Sequence, residues 1–259
     1  MNINVEKLLK VVKLASQIIL ENGGETYRAE ETIKFIFKSV GVKEVDSVAT
    51  PTGIYITLSV DGIDNKTVVK RINKRSIDLE RLNRVNTISR NLTQNCITMD
   101  EAITQLEDTI SNKQTCRIDL SLFYGGISAA FFTLLFGGGI LEFFISLISG
   151  VIVTLATRKF ESLHSYQFFS SIIAGIIIAF FAIVGTHVAG FGNYNYVIVG
   201  GMMPQLPGLA MTNAIRDTIR GDLVSGVARS AEALLVAASL AAGAGIIISL
   251  GYYIGFLAV

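Results

Sequence analysis

Five long apolar stretches fill the second half of the chain and leave little choice of fold. They run over about 120–136, 140–157, 168–186, 196–215 and 227–256. Each is close to or above the ~20 residues a helix needs to cross ~30 Å of hydrocarbon, the first being the shortest. In lipid the backbone must satisfy its own hydrogen bonds, so these stretches are expected to be helices. The expected fold class is a membrane protein: an N-terminal cytosolic α/β domain followed by a five-helix transmembrane α bundle.

Charge divides the chain at the same place. Residues 1–117 hold 17 of the 22 Lys and Arg and 15 of the 21 Asp and Glu. Beyond Arg117 the only cations are Arg158, Lys159, Arg216, Arg220 and Arg229. The expected domains are therefore 1–117, cytosolic, and 118–259, transmembrane. If the first domain is cytosolic, Lys113 and Arg117 precede the first span on the inside, and the five later cations return to that side. This obeys the positive-inside rule and makes the expected protein multi-pass in the cytoplasmic membrane, its N-terminus cytosolic and its C-terminus extracytoplasmic. A net charge of +1 gives no nucleic-acid footprint. The opening MNINVEKLLK has no early apolar run with a cleavage site, so no signal peptide is expected. Cys96 and Cys116 stand apart without metal spacing and read as reduced thiols. With no Walker loop, dinucleotide fingerprint or Cys/His cluster, neither a cofactor nor a metal is expected.

The fourth stretch breaks the helical rules. GGMMPQLPGLAMTNAIRD carries Pro204 and Pro207, two of the three prolines, with Gly200, Gly201 and Gly208 around them. Each proline removes a donor and clashes with the preceding turn, so a break or sharp kink is expected. Such a break either shapes the bundle or presents half-helix ends to a substrate. Asn213, Arg216, Asp217, Arg220, Asp222, Arg229 and Glu232 crowd its inner end. Arg216 and Arg220 read as a solvated loop. Asn213, Asp217, Arg229 and Glu232 lie within a turn of apolar sequence, where ionisable groups mark pathways, and Arg229 and Glu232 share one helix face. The candidate substrate-binding set is Pro204, Pro207, Gly208, Asn213, Asp217, Arg229 and Glu232. Glu142 stands near the outer end of the second span, as a gate or a solvated end. His164 and His187 lie in the connections. The small residues of the last stretch, among them Ala238, Ala241, Ala242, Gly243 and Ala244, serve packing within the chain or a second subunit.

The first domain opens with Val5, Leu8, Leu9, Val12, Ala15 and Ile19 at helical spacing, capped by Asn22-Gly23-Gly24. A helix over about 25–40 follows. Strands are expected at 44–49, 53–60 and 66–72, the second alternating cleanly, with a turn at Asp61-Gly62. A helix carrying Leu79 to Leu92 comes next, and Thr98 with Glu101 forms a capping box for the last. The segment ENGGETYRAEET places Glu25, Arg28 and Glu31 on one face, where one arginine can bridge two carboxylates. With Gly23 these form the candidate motif of the domain. It reads as an ion-paired helix start or a substrate site; without a nucleophile and base pair nearby, no catalytic residue is assigned.

Three segments together resemble the threonine/serine exporter family: NGGETYRAEETI, TPTGIYITL, and MMPQLPGLAMTNAIRDTIRGDLVSGVARSAEALLVAASLAAG. The resemblance covers essentially the whole chain. It implies a secondary exporter of small hydrophilic metabolites without ATP drive. Family members have about ten spans, in one chain or in two. With five expected spans the chain is similar to the large subunit of the split form. The resemblance thus implies a smaller all-membrane subunit as partner in a hetero-oligomer, with a homo-oligomer of the pair as a further step. The implied substrates are threonine and serine, or C4-dicarboxylates. The other reading is a membrane-anchored hydrolase or metabolite sensor acting through residues 1–117.

Overall fold

The computed structural model describes residues 4–42, 44–60, 63–73, 75–111, 118–162 and 167–256. In chain order the elements are α1 (Val5–Glu21), α2 (Thr26–Ser39), β1 (Val45–Thr50), β2 (Gly53–Val60), β3 (Ile63–Arg71), α3 (Leu79–Thr93) and α4 (Met99–Ser111). Then come α5 (Ile118–Leu135), α6 (Ile140–Ser162), α7 (Gln167–Ala189), α8 (Tyr194–Met202), a 3-10 turn (Met203–Gln205), α9 (Gly208–Ile219) and α10 (Leu223–Ile254). Two compact units form. One contains residues 1–114 and 209–231, the other 115–208 and 232–259. The expected boundary at 117, with Lys113, Cys116 and Arg117, lies outside the described residues, as do the Asp61-Gly62 turn and His164. The grouping does not follow chain order, because residues 209–231 are counted with the N-terminal unit.

The first unit combines helices with a small three-stranded sheet. β1, β2 and β3 form an antiparallel meander in which Ala49 faces Ile54 and Val48 faces Tyr55. Alternation sorts the two faces: Ile54, Ile56 and Leu58 are buried, while Tyr55 is exposed. The core gathers Leu8, Val12 and Ile18 of α1, Ile33 and Phe37 of α2, Val85 of α3 and Leu106 of α4 around that inner face. Each large aliphatic side chain buried here contributes about 1.5–3 kcal/mol. The helix starts are capped by side chains. Asn4 Oδ1 accepts from the Lys7 N–H at 3.1 Å, and Asp78 Oδ1 accepts from the Arg81 N–H at 3.0 Å. The Thr98–Glu101 box closes both ways: Thr98 N–H donates to Glu101 Oε2 at 2.7 Å and Glu101 N–H to Thr98 Oγ1 at 3.3 Å. β1 runs one residue later than expected, and β3 starts three residues earlier and ends one earlier.

The second unit is helical and outwardly apolar. Among the described residues, the segment Ile140–Phe160 of α6 and the whole of α7 and α10 are long and apolar enough to cross a membrane; Leu122–Leu135 is a shorter apolar helix. Phe123, Phe131, Phe144, Leu155, Phe180 and Ile246 are exposed, which suits contact with lipid rather than water. The chain is a membrane protein. The fourth apolar stretch, 196–215, is broken, as its two prolines predict: α8 ends at Met202 and α9 begins at Gly208. α8 has nine residues, about 13 Å of helix, too short to cross. The 3-10 turn holds Pro204, and Leu206 is extended (ψ 139°) ahead of Pro207, as a residue before proline prefers.

Small residues bring the helices of this unit together. A Cβ on Gly126 would stand 2.6 Å from the Leu147 carbonyl oxygen, and one on Gly175 3.0 Å from the Ala244 nitrogen. Gly243 packs on Ile172 in the same way. Gly243 and Ala244 thus serve packing within the chain, whereas Ala238, Ala241 and Ala242 are exposed. Between α5 and α6, Thr133 and Ser146 hydroxyls share a buried 2.6 Å hydrogen bond. Glu142 is buried and not a solvated end: it accepts from the Gly139 N–H at 2.9 Å and the Asn193 N–H at 2.8 Å, which ties down the connection before α8.

Candidate functional site

The ENGGETYRAEET segment and the segment after the proline break lie about 190 residues apart, yet they meet inside the first unit. The turn between α1 and α2 sets up the meeting. Asn22 ends α1, donating from its N–H and Nδ2 to the Ile18 carbonyl at 3.1 and 2.7 Å. Gly23 then takes φ +86°, which a side chain would strain. Gly24 donates back to the Ile19 carbonyl at 2.8 Å, and a Cβ there would stand 2.7 Å from that oxygen. The turn is therefore tight, and it leaves the Gly23 and Gly24 carbonyls free to accept.

Both are taken by the distant segment. Asn213 Nδ2 donates to the Gly23 oxygen at 2.9 Å, and Arg229 Nη2 to the Gly24 oxygen at 2.8 Å. Arg216 Nη1 donates to Glu25 Oε1 at 2.6 Å. Thr26 Oγ1 donates to Asp222 Oδ2 at 2.8 Å. Arg220 lies 4.5 Å from the centre of the Tyr27 ring and 3.8 Å from Glu31 Oε1. Arg229 Nε stands 3.1 Å from Asp217 Oδ2. Asn213, Asp217 and Arg229 are buried, Asp217 fully. Five consecutive residues, Gly23 to Tyr27, thus each meet a residue of α9, α10 or the turn between them.

Electrostatics follow from burial and partners. Burial alone would raise the Glu25 carboxyl. Its own backbone N–H, the Arg216 hydrogen bond and the charges of Arg28 and Arg216 outweigh that, holding it below the ordinary glutamate value. Glu30 goes the other way. Burial raises it, the Asp222 charge adds to the rise, and the Ala49 N–H and Lys34 offset only part.

The sequence-derived sets are regrouped rather than reproduced. Asn213, Asp217 and Arg229 come together, with Gly23 and Glu25. Pro204, Pro207, Gly208 and Glu232 are counted with the second unit. Arg28 pairs with Glu25 at 3.5 Å but does not bridge to Glu31, which instead faces Arg220. Arg216 and Arg220 are exposed, as expected of solvated cations, but each pairs with a distant carboxylate, Arg216 with Glu25 just before α2 and Arg220 with Glu31 of α2. Thr26, Tyr27 and Asp222 were absent from the candidate set. Only their places inside the two distinctive segments could have pointed to them. Among the described residues, no three His, Cys, Asp or Glu converge on a metal position.

The two halves of this cluster come from the segments that carried the family resemblance, and the whole sequence was compared with known proteins. It matches the family described as “Putative threonine/serine exporter” over residues 10–251. The chain belongs to the threonine/serine exporter family. The matched region runs from α1 into α10, so the family description takes in every residue of the cluster. A curated relative from Mycobacterium tuberculosis (strain ATCC 25618 / H37Rv), named “Probable threonine/serine exporter”, is 19% identical over 250 residues. That alignment covers 96% of this chain and 47% of the relative, so the chain spans about half the relative's length. No solved structure matches the chain.

Proposed function

We propose that this chain is one subunit of a secondary exporter that moves small hydrophilic metabolites, threonine and serine or C4-dicarboxylates, out of the cytosol. The observation that carries the reading is the convergence of Gly23–Tyr27 on Asn213–Arg229. A polar domain grips the segment that follows a proline-broken apolar stretch. Broken helices serve transporters as binding sites, and a soluble element fixed to one end of such a break can move with it. In this reading the N-terminal unit is cytosolic and the grip belongs to the inner gate. The substrate sits by Pro204, Pro207 and Gly208, with Asn213, Asp217, Arg229 and Glu232 toward the inner vestibule. A substrate carboxylate suits a half-helix N-terminus or Arg229, and Asp217 or Glu232 is the group through which a proton would couple.

Family membership supports export. A second, smaller membrane subunit that supplies the remaining spans belongs to the same proposal. The test is reconstitution into liposomes loaded with serine, threonine or succinate, with this chain alone and with the smaller subunit. Gradient-driven efflux of one of them by the pair is expected. Equal efflux by this chain alone would remove the partner from the account, and no efflux of any of the three would remove the substrates.

A further inference from the structure

The first unit holds a cleft that the exporter reading does not use. It has a volume of about 380 Å³ and lies between α1, α2 and α3, lined by Ile19, Arg28, Thr32, Phe35, Asn86 and Arg90 among others. Its polar part is cationic. Arg28 and Arg90 line it together with one carboxylate, Glu31, which stands 3.8 Å from Arg220. Among the described residues the Arg90 guanidinium has no carboxylate or carbonyl partner, and Arg28 has only Glu25, at a long 3.5 Å. Charge-matching of the last turn of α3 accounts for a cation at position 90. It does not account for a second arginine and an amide, Arg28 and Asn86, lining the same concave space. Beside these stand apolar Ile19, Leu82 and Phe35, with Phe35 half-exposed.

We infer that this cleft is a binding site for a small organic carboxylate. A guanidinium fork matches a carboxylate in two parallel hydrogen bonds. The Asn86 amide suits a second polar group on the ligand. Phe35 and Leu82 suit a short carbon chain, which an inorganic anion lacks. The cleft has room for a compact metabolite and little more. Its placement gives it a consequence: Arg28 belongs both to the cleft and to Glu25, and Glu31 both to the cleft edge and to Arg220. A carboxylate drawn to Arg28 therefore competes with Glu25 and changes the grip on α9. Binding and grip are then thermodynamically reciprocal. This regulatory consequence rests on the exporter reading, whereas the binding site itself does not.

The chain contains no tryptophan, so Phe35→Trp places a single indole at the cleft. The experiment titrates the full-length F35W protein in detergent micelles with succinate, L-serine and sodium phosphate, reading tryptophan emission. No gradient, partner or transport is needed, so the outcome is separate from that of the efflux assay. Saturable emission changes with succinate or L-serine are expected. Adding Arg90→Gln should weaken the apparent affinity about tenfold or more, and Arg90→Lys should fall between, keeping charge without the fork. Circular dichroism and thermal unfolding of each variant confirm that it is folded. No saturable change in folded F35W protein overturns the site. So does a response that Arg90→Gln leaves untouched, and phosphate binding more tightly than either carboxylate overturns the ligand class.

Discussion

At the scale of single residues, the site depends on groups that burial makes costly to leave alone. Arg229 and Asp217 are almost wholly buried and lie 3.1 Å apart. Removing one partner of such a pair leaves an uncompensated charge, at a cost of about 3–5 kcal/mol. Arg229→Ala is therefore expected to lower the thermal unfolding temperature sharply. Asp217→Leu with Arg229→Met should recover much of that loss but not export, because the Gly24 carbonyl still lacks its donor. Recovery of both in the double variant would make the pair merely structural. Gly24→Ala should be among the most damaging small changes, since its Cβ cannot fit against the Ile19 carbonyl; an unaltered melting curve would contradict this. Glu30 carries a pH signature. Its pKa is raised in the fold, so the protonated form is favoured there, and its contribution to stability falls as pH rises through the window between the ordinary and the raised value. Glu30→Gln should thus stabilise the protein near neutral pH relative to wild type, with an advantage that shrinks in mild acid. Melting curves at the two pH values check this, and an advantage that grows in acid would be the wrong sign.

At the scale of elements, the punctuation of the sequence was the most legible part. Gly23 after α1, the Thr98–Glu101 box before α4 and the alternation of β2 each follow from chemistry within a few residues. So did the break in the fourth apolar stretch, because two prolines three residues apart cannot both sit in a regular helix. Two things were not legible. One was that the stretch after the break would form its own helix packed on the N-terminal motif, since neither segment carries a local trace of a partner about 190 residues away. Arg216 and Arg220 are exposed, yet their partners, Glu25 and the Tyr27 ring with Glu31, could not be named from the sequence because they lie at the start of α2. The other was which carboxylate Arg28 would choose, since Glu25 and Glu31 are equally spaced along the chain. The break itself gives a prediction. Pro207→Ala relieves the constraint on Leu206 and loosens the unfolded chain, which should cost only about 1 kcal/mol of stability. Export should fall much further than that. A variant that exports normally would show that the break shapes the helix and does not serve transport.

At the scale of the whole molecule, the chain joins an α/β unit with its own core to a unit whose outside is apolar. Residues 209–231, which the sequence assigns to the membrane half, are counted with the polar one. Within that unit, Gly23–Tyr27 hold Asn213–Arg229 through side-chain hydrogen bonds and an ion pair, and the proposed function rests on this hold. The most direct test reverses the hold at its shortest ion pair, Glu25 with Arg216. With Arg28 alongside, the exchange E25R with R216E keeps two guanidiniums and one carboxylate in place. Serine, threonine or succinate efflux is measured from liposomes carrying this chain and the proposed smaller subunit. Each single reversal should cut efflux about tenfold or more, as expected when a charged hydrogen bond turns into a like-charge contact, and the double reversal should restore a large part of it. Wild-type efflux from either single reversal, or a double reversal no better than the worse single one, would contradict the account.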